Sequence, residues 1–203
     1  MSKSFQKHRP AFEQAWQYAQ TRLERELSPL LKFHSVDHTR YDVVPAADRL
    51  ATLLGLSDEQ MLLVRTAAWY HDLGFVQQRI DHETVSIQIA YAVLPHFGFN
   101  REQVTTVEQL ILATRLPQRP QTLLEQILAD ADLDSLGRGD FLVTSLALRD
   151  ELAAFGVEST LLEWYTRQHQ FLHDHRYFTD AARLLRSEGK QRNLEILQML
   201  AGR

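Results

Sequence analysis

The sequence predicts an all-α fold: a bundle of eight to ten helices in one domain. Apolar residues recur at three- and four-residue spacing in one segment after another. Capping patterns and Pro or Gly breaks separate those segments. The sequence has no convincing alternating strand, no Gly-rich phosphate loop and no repeat of fixed period. A chain of 203 residues suits one domain with a helical extension, here a core over about residues 30–140 and an extension over about 141–203.

The elements follow in order. Pro10 suits the first turn of a helix whose inward side is Phe12, Trp16, Ala19, Leu23 and Leu27, and Ser28-Pro29 ends it. A second helix starts near Val36 and carries Tyr41, Val44, Leu50, Leu53 and Leu54 to a stop at Gly55. Pro45 lies inside it and should kink or split it. Ser57 with Gln60 forms a capping box that opens a strongly apolar helix over 61–73, and Gly74 is expected to supply a left-handed stop. A polar connector, 77–81, leads to a helix over 83–94 and a turn over 95–98. Asn100 with Gln103 repeats the capping pattern ahead of Val104, Val107, Leu110, Ile111 and Ala113. Pro117 to Pro120 is a stiff break, with Pro120 expected as the first residue of a helix running through Leu123, Ile127 and Leu128 to Asp132. Gly137 and Gly139 mark another break, and helices over 141–154, 161–173 and 179–200 complete the set.

Composition narrows the function. Hydrophobic residues make up 44% and charged residues 24%, as in an ordinary soluble globule. A net charge of −4 offers no general footprint for nucleic acid. Cysteine is absent, which excludes disulfides and thiolate metal sites and fits a cytoplasmic setting. Residues 1–10 are polar and lack the apolar stretch of a signal peptide, and no run approaches a membrane span.

Three separated clusters carry the chemistry: His34-Ser35-Val36-Asp37-His38, Tyr70-His71-Asp72-Leu73-Gly74 and Ala129-Asp130-Ala131-Asp132-Leu133. His34 and His38 are four apart and would share a helical face. Ala67, Ala68, Trp69 and Leu73 surround Asp72 with apolar residues, so an ionised Asp72 needs a partner. A divalent cation would serve, and would hold His71 in its neutral, ligating form. Asp132 follows Ile127-Leu128-Ala129 and meets the same constraint. On a helix, Asp130 and Asp134 share one face and Asp132 takes the other. The Gly and closing Glu of a calcium loop are missing from this triplet. The three clusters are read as converging on one metal ion that serves hydrolysis.

The order His…His-Asp…Asp, with these local contexts, resembles the HD-domain superfamily of metal-dependent phosphohydrolases. The resemblance covers roughly residues 30–140 and implies a phosphodiesterase-like helical fold. It implies His38, His71, Asp72 and Asp132 as metal ligands; Ala131-Asp132-Leu133 is similar to the Ala-Asp-Leu of cyclic-nucleotide phosphodiesterases, which selects Asp132 over Asp130. It also implies His34 as the general acid toward the leaving group, with Asp72 both ligating the ion and orienting water. Phe171-Leu172 and Tyr177-Phe178-Thr179 are similar to a bacterial group known only as predicted HD phosphohydrolases.

Two His and two carboxylates suit Mn²⁺, Fe²⁺, Co²⁺, Ni²⁺ or Zn²⁺, with Mg²⁺ also admissible. Relatives with two metals use further histidines. His82 is one candidate, but Arg115 stands where another His is needed, which favours a single ion. His82 then contacts substrate phosphate or simply starts a helix. Arg79, Arg115 and Arg119 are candidates to grip phosphate. The expected substrate is a small phosphate ester, a nucleotide or related metabolite, cleaved as a mono- or diester; a homodimer is compatible with the sequence. The alternative is a binding or regulatory module without turnover, which would have no need of two desolvated carboxylates. A rival cluster, His169, His173, Asp174 and His175, sits among Gln168, Gln170, Arg176 and Asp180 and is read as a solvated helix end. His8 and His96 have no supporting context.

Overall fold

The computed structural model describes residues 10–202. His8 and the polar stretch ahead of Pro10 lie outside the described residues. Among the described residues there are nine α-helices and no strand. They are α1 (Phe12–Glu26), α2 (Val44–Leu53), α3 (Asp58–Tyr70), α4 (His82–Val93), α5 (Arg101–Thr114), α6 (Leu123–Asp132), α7 (Phe141–Ala154), α8 (Leu161–Asp174) and α9 (Asp180–Leu200). None is long and apolar enough to cross a membrane.

Local chemistry sets the helix starts. Ser57 and Gln60 make the reciprocal capping box at α3, Asn100 and Gln103 make another at α5, and Thr160 and Glu163 make a third at α8. Two starts differ from expectation. Pro10 stands before the helix rather than in its first turn, because α1 opens at Phe12 behind Ala11. Pro120 lies outside α6, because the Thr122 hydroxyl accepts the Glu125 N–H and fixes the start at Leu123.

Pro45 does not split its helix in two. A π-helical turn over His38–Val43 runs directly into α2, with the Val44 N–H donating to the Thr39 carbonyl. Pro45 then falls in the first α-turn, where a missing N–H is tolerated. Gly74 also differs. It lies in a 3₁₀ turn, Leu73–Val76, and is not among the residues with positive φ. Glycine is needed there because α4 crosses so closely that a Cβ would meet the His82 carbonyl oxygen.

The main core joins α1 to α6. Leu23, Leu50, Tyr70, Leu73, Leu110, Ile111, Ile127 and Leu128 are almost wholly buried in it. Tyr70 satisfies its hydroxyl on the Ala15 carbonyl, 3.0 Å away. A smaller cluster of Leu136, Phe141, Leu172 and Leu197 unites α7, α8 and α9 with a 3₁₀ turn, Asp134–Gly137. That turn seats tightly on α9. Asn193 donates to the Leu136 and Arg138 carbonyls, both at 2.9 Å, and Gly137 backs onto Gly189. The candidate site lies where the main core meets α7 and α8.

Candidate metal centre

Three elements deliver the site. The π turn carries His38, the end of α3 carries His71 and Asp72, and the end of α6 carries Asp132. The π turn widens the helix by one residue and aims His38 inward, where it is buried at 4% exposure. His71 follows the last residue of α3, and its Nδ1–H donates to the Ala68 carbonyl at 2.7 Å. That bond orients the ring and leaves Nε2 as the nitrogen available to a metal once its proton is lost. Ser86 on α4 steadies the next stretch. Its hydroxyl donates to the His71 carbonyl and accepts the Gly74 N–H, both at 2.7 Å.

The atoms converge. His38 Nε2 lies 3.6 Å from Asp132 Oδ1 and 4.0 Å from Asp72 Oδ2. His71 Nε2 lies 3.4 Å from Asp132 Oδ1 and 3.3 Å from Asp72 Oδ2. Ligand atoms of His38, His71 and Asp132 all fall within 4.8 Å of one another. His38 Nε2, His71 Nε2 and Asp72 Oδ2 are buried without any hydrogen-bond partner. Leaving buried polar atoms unpaired is costly. Three such atoms facing one point, beside a carboxylate oxygen, fit a divalent cation, and the mixed N/O set suits a transition metal.

The charges agree. Burial opposes an imidazolium at His38, but Asp132, Asp42 and Asp72 outweigh it and push its pKa up to about 9. His71 is likewise raised well above its ordinary range, as Asp72 and Asp132 overcome burial. Burial opposes the Asp72 carboxylate, but His71 and His82 hold it well below the usual range. Asp132 is brought down to about 2 by His38 and His71 against the same burial. Without metal, then, two imidazoliums neutralise two carboxylates. A divalent ion brings the same charge to the same place and releases protons on binding.

The neighbouring aspartates divide as helical geometry requires. Asp130 accepts from the Phe178 N–H, the Thr179 N–H and the Thr179 hydroxyl at 2.7–2.8 Å. Asp134 accepts from Arg49 and Arg186 at 2.8–2.9 Å. Both bind structural partners on the far face, and Asp132 alone of the three meets the histidines.

A cavity of about 610 Å³ opens onto this centre, lined at that end by His34, Asp72, His82, Glu83 and Asp132. The His34 and His82 rings both stack against Phe75, at 4.4 and 3.9 Å between centroids, and lie 6.1 Å from each other. His34 Nδ1 lies 2.5 Å from Glu151 Oε1, while Glu151 Oε2 accepts the Phe33 and His34 N–H groups. His82 does begin α4, and its Nε2 lies 3.2 Å from Asp72 Oδ1, so it also steadies the outer oxygen of that carboxylate.

Other expected residues go elsewhere. Arg79 stacks on Phe155 at 5.0 Å. Arg115 is drawn off by Asp81, Thr84 and Glu83. Arg115 and Arg119 line a separate pocket with Glu125. None of the three arginines is in the lining of the cavity at the centre; Arg167 of α8 is. His173 and Asp174 pair at the surface, each more than 60% exposed, away from the centre.

Sequence reasoning missed Glu151, Phe75, Asp42 and Arg167. Glu151 carried a usable signal: a carboxylate three residues after Leu148, on the inward stripe Phe141, Ser145, Leu148 and Leu152. Asp42, four after His38 and now 3.6 Å from its Nδ1, carried another.

Comparison with known proteins follows the same lines. A family model described as HD domain matches residues 40–135, a span that contains His71, Asp72 and Asp132 and begins just after His38. No curated protein matches the sequence. The fold is similar to the crystal structure of a predicted HD superfamily hydrolase from an uncultured Thermotogales bacterium. The TM-score is 0.64 at 18% identity, over 97% of this chain and 95% of that one. It is also similar to a Lactobacillus plantarum protein, with a TM-score of 0.67 at 16% identity, over 94% of this chain and 96% of that one.

Proposed function

We propose, from the match of residues 40–135 to the HD-domain model and the geometry of the centre, that the chain is a metal-dependent phosphohydrolase acting on a small phosphate ester. One observation carries the reading: His38 Nε2 and His71 Nε2 are buried, unpartnered and 3.4–3.6 Å from Asp132, with the unpartnered Asp72 Oδ2 3.3–4.0 Å from the same two nitrogens, at the end of an open cavity. His38, His71, Asp72 and Asp132 would hold one divalent transition ion. Such an ion, when bound, supplies a Lewis acid for a phosphoryl oxygen and lowers the pKa of water.

The chain's own groups do the rest. His82 fixes the outer oxygen of Asp72 and keeps that carboxylate aimed at the centre. Glu151 holds the Nδ1–H of His34, so the other ring nitrogen is the one left to act as an acid. Water adds to phosphorus, the ester P–O bond breaks, and the leaving oxygen takes its proton from His34. The products are phosphate and an alcohol.

The test is direct. Protein stripped of metal should release no phosphate from a panel of nucleotides, aryl phosphates and sugar phosphates. Adding back Mn²⁺, Co²⁺ or Ni²⁺ should restore release with about one ion bound per chain. Full activity in the stripped protein would sink the proposal.

A further inference from the structure

The cavity at the metal centre has two unlike ends. The inner end is the ring of histidines and carboxylates described above. The outer end is made by α7, α8 and the turn before them, through Leu136, Phe141, Leu148, Leu152, Trp164 and Phe171. These are large apolar side chains, and the whole space of about 610 Å³ is far larger than a phosphate group needs.

Of the polar groups in that outer wall, Trp164, Thr144 and Thr114 already have partners, while Ser135 lines it beside them. The Trp164 indole N–H donates to the Ser145 hydroxyl at 3.0 Å. The Thr144 hydroxyl donates to the Phe141 carbonyl at 2.9 Å, and the Thr114 hydroxyl to the Ile111 carbonyl at 2.8 Å. A sugar or base edge pressed against this wall would leave hydrogen-bonding groups unpaired, at a cost of roughly tenfold in affinity for each. Only Arg167, which is exposed, and Gln168 add longer polar side chains from α8. An apolar group gains from the same wall by leaving water.

We propose that the organic part of the ester is apolar, an aryl or branched-alkyl group seated between α7 and α8, with its phosphate at the metal centre. This rests on the phosphohydrolase reading above and adds a substrate class to it. Specificity then comes from Leu148, Leu152, Trp164 and Phe171, residues outside the span matched by the family model.

Binding and turnover test it separately. Calorimetry on metal-loaded protein compares methylphosphonate, phenylphosphonate, 1-naphthylphosphonate and adenosine monophosphate; the phosphonates cannot be hydrolysed. Affinity should rise at least tenfold from methyl to naphthyl, and naphthylphosphonate should exceed the nucleotide. Leu148→Gln should remove most of that rise while leaving metal content and methylphosphonate affinity unchanged. The wild-type series stands alone should that variant not fold. Equal affinities across the series, or tighter binding of the nucleotide, would overturn the proposal. Turnover of 1-naphthyl phosphate against ribose 5-phosphate then tells the two readings apart. Hydrolysis without preference for the naphthyl ester refutes the apolar site and keeps the phosphohydrolase. A rising affinity series with no hydrolysis of any ester refutes the phosphohydrolase and keeps the apolar site. Failure of every phosphonate to bind refutes both.

Discussion

Asp130, Asp132 and Asp134 show how much a side chain's direction decides. All three are carboxylates within five residues of one helix end, yet only Asp132 reaches His38 and His71. Asp130 closes onto Phe178 and Thr179, and Asp134 onto Arg49 and Arg186. Substitutions should separate these roles. Asp132→Asn and Asp72→Asn should each lower metal content at least tenfold by elemental analysis. Asp130→Asn should keep the metal and lower stability by about 1–3 kcal/mol, as loss of a hydrogen-bonded buried carboxylate does. His173→Ala should change neither, because its partner Asp174 is as exposed as it is. Metal loss in the His173 variant would mean that the wrong cluster has been identified. Glu151 belongs to the same scale. It holds His34 by the ring and by the backbone. Glu151→Gln and His34→Ala should each slow phosphate release at least tenfold with metal content unchanged; a fall in bound metal would instead make His34 a ligand.

At the level of elements, what could be read in advance was whatever is encoded locally. The capping boxes at Ser57 and Asn100 fixed two helix starts because each needs only residues three apart. The His-Asp pair and the two flanking clusters stood out because a carboxylate in an apolar helix is anomalous wherever it occurs. Contacts across the chain were not legible. Glu151 sits 117 positions after His34, and although its place on the inward stripe of α7 could be read, nothing local names His34 as its partner. The partners of Arg79 and Arg115 were hidden for the same reason: a loop arginine looks free until Phe155 or Asp81 is seen beside it. The π turn at His38–Val43 was hidden because π and α turns share one amphipathic pattern at this length. Gly74 was recognised as necessary for the wrong reason, conformation instead of space. That difference is measurable. A left-handed glycine replaced by alanine costs only backbone strain, whereas here a Cβ meets the backbone at His82. Gly74→Ala should therefore cost about 2 kcal/mol or more, a drop in Tm of roughly 4–8 °C for a chain of this size. It should also weaken metal binding, because it pushes α4 and its His82 away from Asp72. An unchanged Tm would show that α4 is not held against this turn.

Across the whole molecule, folding and metal binding share one set of charges, and pH should set them against each other. His38 has a folded pKa of about 9 against an ordinary value of 6.5. The metal-free protein therefore gains stability from this group below about pH 6.5 and loses it as pH rises through 9. Asp132 runs the other way. Its folded value of about 2 lies below the ordinary 3.8, so its contribution is present above 3.8 and is lost as pH falls through 2. Between those limits the imidazolium–carboxylate pairing keeps the metal-free centre folded around its own protons. A divalent ion must displace the protons on His38 and His71, so its affinity should rise with pH over the range in which the metal-free protein weakens. Binding to the folded state alone adds about 2.7 kcal/mol when the free ion is at 100 times its Kd. The gap in Tm between loaded and metal-free protein should thus be small near pH 6 and widen steadily toward pH 9. Part of that widening comes from the falling metal-free baseline and part from tighter binding, and calorimetry at each pH separates the two through the protons released. A gap that stays constant from pH 6 to 9, with no proton release, would mean that the ion does not bind through His38 and His71.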